Sequence, residues 1–150
     1  MESKSHAGRY WASWGYRPEW ARGKDIKPQI NARSETAAEK PFFYQGFKAR
    51  RCLSPANGFY EWEKTRGGKQ PWYFYHRQGL MAFAGLYCDD TFCILTKEAT
   101  GRMAQVHGRM PAVVPKERYG YWFNADPQSA ALLIERLAAA RLTGIRFLCG

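Results

Sequence analysis

Residues 51–95 read RCLSPANGFYEWEKTRGGKQPWYFYHRQGLMAFAGLYCDDTFCIL. Four segments within this stretch, Arg51 to Leu53, Gly58 to Glu63, Trp72 to Tyr75 and Met81 to Tyr87, are rich in the aromatic and aliphatic residues that fit a pleated, half-buried surface. Thr65-Arg66-Gly67-Gly68 is a turn between the second and third, and Asp89-Asp90 is a turn ahead of a fifth strand, Thr91 to Leu95. Strands joined this closely predict a meandering antiparallel sheet. With helices on either side in the chain, the expectation is an α+β fold whose mainly antiparallel sheet is curved or barrel-like.

Upstream, residues 1–27 are polar and aromatic, with an extended stretch at Ser13 to Tyr16. Ser34, Glu35, Ala37 and Ala38 predict a short helix, and Pro41 interrupts it before a second helical turn at Tyr44 to Lys48. Downstream, Thr96 to Met110 is an irregular or helical connection, and Ala112 to Val114 returns to the sheet. Pro115 opens a short helix through Trp122. Asp126-Pro127 starts an amphipathic helix from Gln128 to about Arg141, with Leu132, Leu133, Leu137 and Ala140 on one face.

The chain has 150 residues, enough for one domain with a core, so one domain over 1–150 is expected. Lysine and arginine number 23 against 13 acidic residues, a net charge of +10, and a folded chain this basic points to a polyanion partner. Aromatics make up 16% and several adjoin arginines, as in Arg9-Tyr10-Trp11, the mixture that stacks bases while neutralising phosphates. No apolar run marks a signal peptide or a membrane span, so a soluble, cytoplasmic, DNA-associated protein is expected. Cys52, Cys88, Cys93 and Cys149 form no C-x-x-C pair, which favours buried reduced thiols over a metal site. No metal or organic cofactor is implied.

Three stretches set polar groups beside glycine, proline or aromatic residues: Asn31-Ala32-Arg33-Ser34-Glu35-Thr36, Asn57-Gly58-Phe59-Tyr60-Glu61-Trp62 and His107-Gly108-Arg109-Met110-Pro111. In this order, and with Trp14-Gly15 followed by Pro18 and Trp20, they resemble the signatures of the SOS-response-associated peptidase family over roughly residues 14–122. That resemblance implies processing of abasic sites in single-stranded DNA. In the family, an N-terminal cysteine offers an α-amine that forms an imine with the open sugar's aldehyde and a thiol that closes it to a thiazolidine. The same cysteine is associated with self-processing peptidase activity.

Carried onto this chain, the resemblance implies that Asn31 and Arg33 contact the sugar-phosphate at the lesion; the alternative is a helix-cap asparagine beside a surface arginine. Glu61 would be the general acid or base, its pKa raised by an aromatic neighbourhood between Tyr60 and Trp62; the alternative is a charge on a solvent face. His107 would shuttle protons in imine formation and reversal, unless it is structural. Thr96 and Arg109 would hold phosphate oxygens, while Trp14, Pro18 and Trp20 support the strand beside the lesion, with a core position for Trp14 as the rival reading. Cys52 follows two arginines, which favours a thiolate, yet its strand position favours an inert buried thiol.

The family pattern opens with methionine-cysteine-glycine-arginine a few dozen residues before its tryptophan-glycine segment, whereas this sequence opens Met1-Glu2-Ser3-Lys4 and soon reaches Trp14. A missing N-terminal nucleophile is therefore expected, with only an imine through the N-terminal amine or Lys4 remaining. The C-terminus, from Ile145 to Gly150, also ends short of the family pattern, and lost strands would leave sheet edges open to self-association. The alternatives are a single-stranded-DNA-binding remnant without catalysis and a generic basic RNA-binding or structural protein.

Overall fold

The computed structural model describes residues 8–137 and 141–147. In chain order the elements are β1 (Ser13–Trp14), β2 (Asn31–Arg33), α1 (Ser34–Ala37), α2 (Tyr44–Ala49), β3 (Arg51–Ala56), β4 (Gly58–Thr65), β5 (Gly68–His76), β6 (Met81–Cys88), β7 (Thr91–Glu98), α3 (Gly101–Val106), β8 (Arg109–Pro111), α4 (Tyr119–Asn124), α5 (Pro127–Arg136) and β9 (Leu142–Arg146). Short 3-10 turns at Glu19–Ala21 and Lys116–Arg118 complete them. The fold is the expected α+β class, with a curled, half-barrel, mainly antiparallel sheet.

Both predicted turns form, for local reasons. Gly68 closes the β4–β5 hairpin at φ +120°, a conformation side chains rarely adopt, and the Thr65 hydroxyl donates to its carbonyl at 3.0 Å. At the β6–β7 turn Asp89 takes φ 50°, and the Thr91 hydroxyl donates to the Cys88 carbonyl at 2.9 Å.

The connectivity departs from a simple meander. β3 pairs with β6, not with the next strand, and β4, β5 and β9 form a separate three-stranded sheet. β3 is an edge strand, which is why Pro55, lacking an N–H, is tolerated opposite Ala82. At the start of β4, Gly58 lies under the Tyr73 ring, and a Cβ there would come within 2.6 Å of the Phe74 carbonyl oxygen, so only glycine fits. Leu142–Arg146, to which the sequence reading gave no element, extend the second sheet: β9 covers the free edge of β5. Thr96 to Met110 is more ordered than expected, because Thr96–Glu98 continue β7, α3 follows, and β8 returns along β7.

β7 is the hub. Along one edge it pairs in parallel with β1 and then β2; along the other it pairs antiparallel with β6 and then β8. One face of this sheet packs Leu86, Cys93 and Leu95 against Phe47, Trp122 and Ile134 from the helices. The other packs Met81, Phe83 and Ile94 toward the second sheet, where Phe59 stacks on Phe74 at 5.5 Å and meets Phe83 edge-on at 5.8 Å. With apolar neighbours on both faces, β6 reads as a continuous apolar run.

α5 begins as predicted, with the Asp126 carboxylate accepting from the Ser129 N–H at 3.0 Å, but ends at Arg136. Ala130 and Ile134 are its buried residues, Leu132 is exposed, and Ala140 lies outside the described residues. Lys97 accounts for the early stop, its ammonium donating to the Leu137 carbonyl at 2.8 Å and to that of Ile134 at 3.4 Å, which caps the helix's C-terminal end. Among the described residues no helix is long and apolar enough to cross a membrane.

Candidate nucleic-acid interface

The register of β2 on β7 builds the site. Ala32 is buried, so Asn31 and Arg33 project together from the other face of β2, opposite Ile94 and Thr96. Trp14 precedes them along the same edge, opposite Phe92; its ring stacks on Phe92 at 6.4 Å and its indole N–H donates to the Ile30 carbonyl at 2.7 Å. Half-exposed, Trp14 is neither a core residue nor a free one. The three side chains follow successive same-face positions of β7, a row about 13 Å long at about 3.3 Å per residue.

β8 brings the histidine loop to the end of this row. Arg109 grips Glu35 in a two-pronged pair, Nη1 to Oε1 at 2.7 Å and Nη2 to Oε2 at 2.9 Å, and Nη2 also donates to the Thr96 carbonyl at 2.6 Å and hydroxyl at 3.2 Å. Its Nε is buried with no acceptor among the described residues. His107 turns back on this arginine, with Nδ1 3.0 Å from the Arg109 amide nitrogen and 3.1 Å from its carbonyl oxygen. Unprotonated, Nδ1 accepts from the amide; protonated, it donates to the carbonyl. Either state has a backbone partner at hand, and Nε2 is left for a ligand.

Arg109 is thus bound to both Thr96 and Glu35. Glu35 was missed as a site residue, although it stands inside the first motif: its partner lies 74 residues away. The cue in the sequence was a lone acid beside Arg33 in a stretch meant to meet phosphate.

Hydrogen bonds from Arg109 hold the Glu35 carboxyl below its ordinary 4.5, against a smaller opposing effect of burial. A depressed carboxylate adds stability that is complete above its unfolded value and disappears as pH falls through the folded one. Glu35→Gln is therefore expected to flatten the loss of stability below the ordinary glutamate range. Urea midpoints for both proteins at about pH 6 and about pH 3.5 check this; the difference should be under about 1 kcal/mol, since the pair is solvent-screened, and equal losses would refute it.

Glu61 enters from the second sheet. Strand alternation puts it with Phe59 and Glu63 on the β4 face against which α3 packs, opposite the buried Trp72. Tyr60 and Trp62 project from the other face, so the aromatic neighbour of Glu61 is Trp72, not its sequence neighbours. α3 delivers His107 at its C-terminal end, so Glu61 and His107 belong to the same side of the sheet, although among the described residues no hydrogen bond joins them. Beside them a cleft of about 470 Å³ opens between α3 and the sheet, lined by Glu63, Arg102, Gln105 and Arg146 among others. Trp20 packs edge-on against Phe42 at 5.9 Å with Lys24 over its ring, and Pro18 caps the 3-10 turn that carries it.

Burial pushes the Cys52 and Cys93 thiols up to about 12, so neither is a thiolate at neutral pH. The arginine preceding Cys52 has another task. Arg51 donates through Nε to the Trp122 carbonyl at 2.7 Å, through Nη1 to that of Phe47 at 2.8 Å, and through Nη2 to those of Phe123 and Ala125.

The chain has relatives. A family model described as SOS response associated peptidase (SRAP) matches residues 2–146. The abasic site processing protein YoqW of Bacillus subtilis is 34% identical over 81% of this chain, and the abasic site processing protein YedK of Escherichia coli is 31% identical over 75%. The chain spans only 61% and 54% of the length of these relatives. The X-ray crystal structure of a protein from Bacteroides thetaiotaomicron superposes with a TM-score of 0.81 at 26% identity, covering 91% of this chain and 68% of its own. By its three motifs, its fold and a family match across nearly its whole length, this chain belongs to the SRAP family.

Proposed function

We propose that this chain processes abasic sites, binding the lesion in single-stranded DNA along the β2–β7 edge and forming an imine with the opened sugar. The observation that supports this is the gathering of Asn31, Arg33, Thr96, His107 and Arg109, scattered over nearly eighty residues of sequence, around one end of β7. Arg33 neutralises a phosphate, and the Asn31 amide orients a sugar hydroxyl. Trp14 carries a neighbouring base. Arg109, already held by Glu35 and Thr96, positions the histidine loop and adds positive charge, a role closer to support than to the free phosphate grip first expected.

The reaction needs proton transfers at neutral pH. An amine attacks the C1′ aldehyde and water leaves, giving the imine; Glu61 takes the amine proton and His107 returns one to the departing oxygen. The candidate amines, the chain's N-terminus and Lys4, lie outside the described residues. A second reading is DNA binding without covalent capture: Asn31 and Arg33 still grip the strand, and the buried thiols of Cys52 and Cys93 supply no thiolate to close an imine to a stable thiazolidine. Gel analysis of the chain mixed with single-stranded DNA carrying one abasic site, with and without borohydride, decides between them. A covalent adduct on borohydride treatment is the expected result; DNA retained without any adduct overturns the imine step and leaves the binding module.

A further inference from the structure

The outward face of the β4–β5–β9 sheet turns away from Glu61 and carries its own pattern. Alternation places Tyr60 and Trp62 of β4, Tyr73 and Tyr75 of β5, Ile145 of β9 and Phe147 just beyond it on this face. Their rings make one continuous surface: Tyr60 lies 5.0 Å from Tyr73, 6.4 Å from Trp62 and 5.9 Å from Phe147, and Tyr73 stacks on Tyr75 at 6.0 Å. Trp62 is 51% exposed and Tyr60 54%. Aromatic rings left this open on a sheet whose other face is already packed call for an occupant.

Charge identifies it. Both acids of β4, Glu61 and Glu63, lie on the inner face, and the outward positions of the three strands carry no acidic residue. At the hairpin end of the aromatic row Lys64 faces Lys69 directly across the strands, and Arg66 sits in the turn. Like charges paired across two strands weaken a hairpin, so the pair contributes nothing to the fold alone. A polyanion with stackable rings satisfies both features at once. A second copy of the chain does not, since a two-fold contact sets this face against itself and the face carries no acid to meet the lysines.

We propose that this face is a second single-stranded DNA surface, one that holds intact nucleotides by base stacking on Tyr60 and Trp62 and by phosphate contacts to Lys64 and Lys69. It does not depend on the abasic-site reading, because it recognises undamaged bases and lies on the opposite face of the sheet from Glu61.

The test uses the full chain and a fluorescein-labelled oligothymidylate of about 15 nucleotides, followed by anisotropy. Tyr60→Ser with Trp62→Ser is expected to weaken binding at least about tenfold, by a similar factor at low and high salt, because stacking releases no counterions. Lys64→Ala with Lys69→Ala should instead flatten the dependence of affinity on salt, by about 1.4 in the logarithmic slope for two phosphates. Trp62→Leu keeps the apolar bulk and removes the stacking ring, so it should show the loss even if the serine pair disturbs the fold. Unchanged affinity in a folded Trp62→Leu protein overturns the proposal. So does a serine pair that alters the sedimenting mass but not the binding, which would make the face a contact between copies. Loss of abasic-site adducts with oligothymidylate binding intact would strike the processing reading alone.

Discussion

Arg51→Ala is expected to lower the stability of this chain by about 3 kcal/mol and its melting temperature by roughly 10 °C, more than any other single change to a side chain outside the apolar core. The arginine's three nitrogens donate to four carbonyls, those of Phe47 near the end of α2 and of Trp122, Phe123 and Ala125 at the end of α4, and its guanidinium lies 5.5 Å from the centre of the Trp122 ring. Helix C-termini leave carbonyls without intrahelical partners, and here one side chain answers two of them while fastening both helices to the edge strand β3. Each carbonyl stranded in a partly buried place costs roughly 1–3 kcal/mol, less where water reaches it, so the total stays near the lower end of the sum. Arg51→Lys should recover less than half the loss, since one ammonium cannot span acceptors on two helices. Thermal melts of the three proteins check this. An alanine variant melting within about 2 °C of the parent would show that water replaces the guanidinium at no cost.

The largest effect on chemistry is expected at Glu61 and His107, the two residues proposed to carry protons. Glu61→Gln and His107→Phe should each slow formation of the borohydride-trapped adduct by about a hundredfold, with the double variant little worse than either single one, as for groups that act as a unit. Affinity for the abasic strand should change by less than about threefold in both, because neither residue grips phosphate. Arg33→Ala should do the reverse, weakening binding and reducing its logarithmic salt slope by about 0.7 with the trapping rate at saturation preserved. Single-turnover trapping at saturating protein separates rate from binding. A Glu61→Gln protein that traps the lesion at the parent's rate would remove Glu61 from the reaction and return it to the alternative of a charge carried on a strand face.

Much of this architecture was legible in short stretches. Gly68 in a turn, Asp89 beside Asp90, and Asp126 ahead of Pro127 act through dihedral preference and capping, which operate within a few residues, and each did what its local chemistry predicts. The motif residues were legible too, as polar groups set among glycine, proline and aromatic residues. Their roles were less so. Tyr60 and Trp62, adjacent to Glu61 in sequence, point away from it because a strand alternates its faces, and Trp72 from the next strand takes their place.

What the sequence alone determined was therefore the five central strands from Arg51 to Leu95 and their turns, the α+β class and the family; the short strands at Asn31–Arg33, Arg109–Pro111 and Leu142–Arg146 were not among them. Only the tertiary structure decided that β3 pairs with β6, that β9 covers β5, that Glu35 holds Arg109 and that Arg51 clamps two helices. These contacts join residues about 25 to more than 70 positions apart. Closing loops of such different lengths differs in cost by only about 1 kcal/mol, so chain distance selects no partner. Partners are chosen by the sum of apolar burial and satisfied hydrogen bonds over the assembled core, a quantity no local stretch of residues carries.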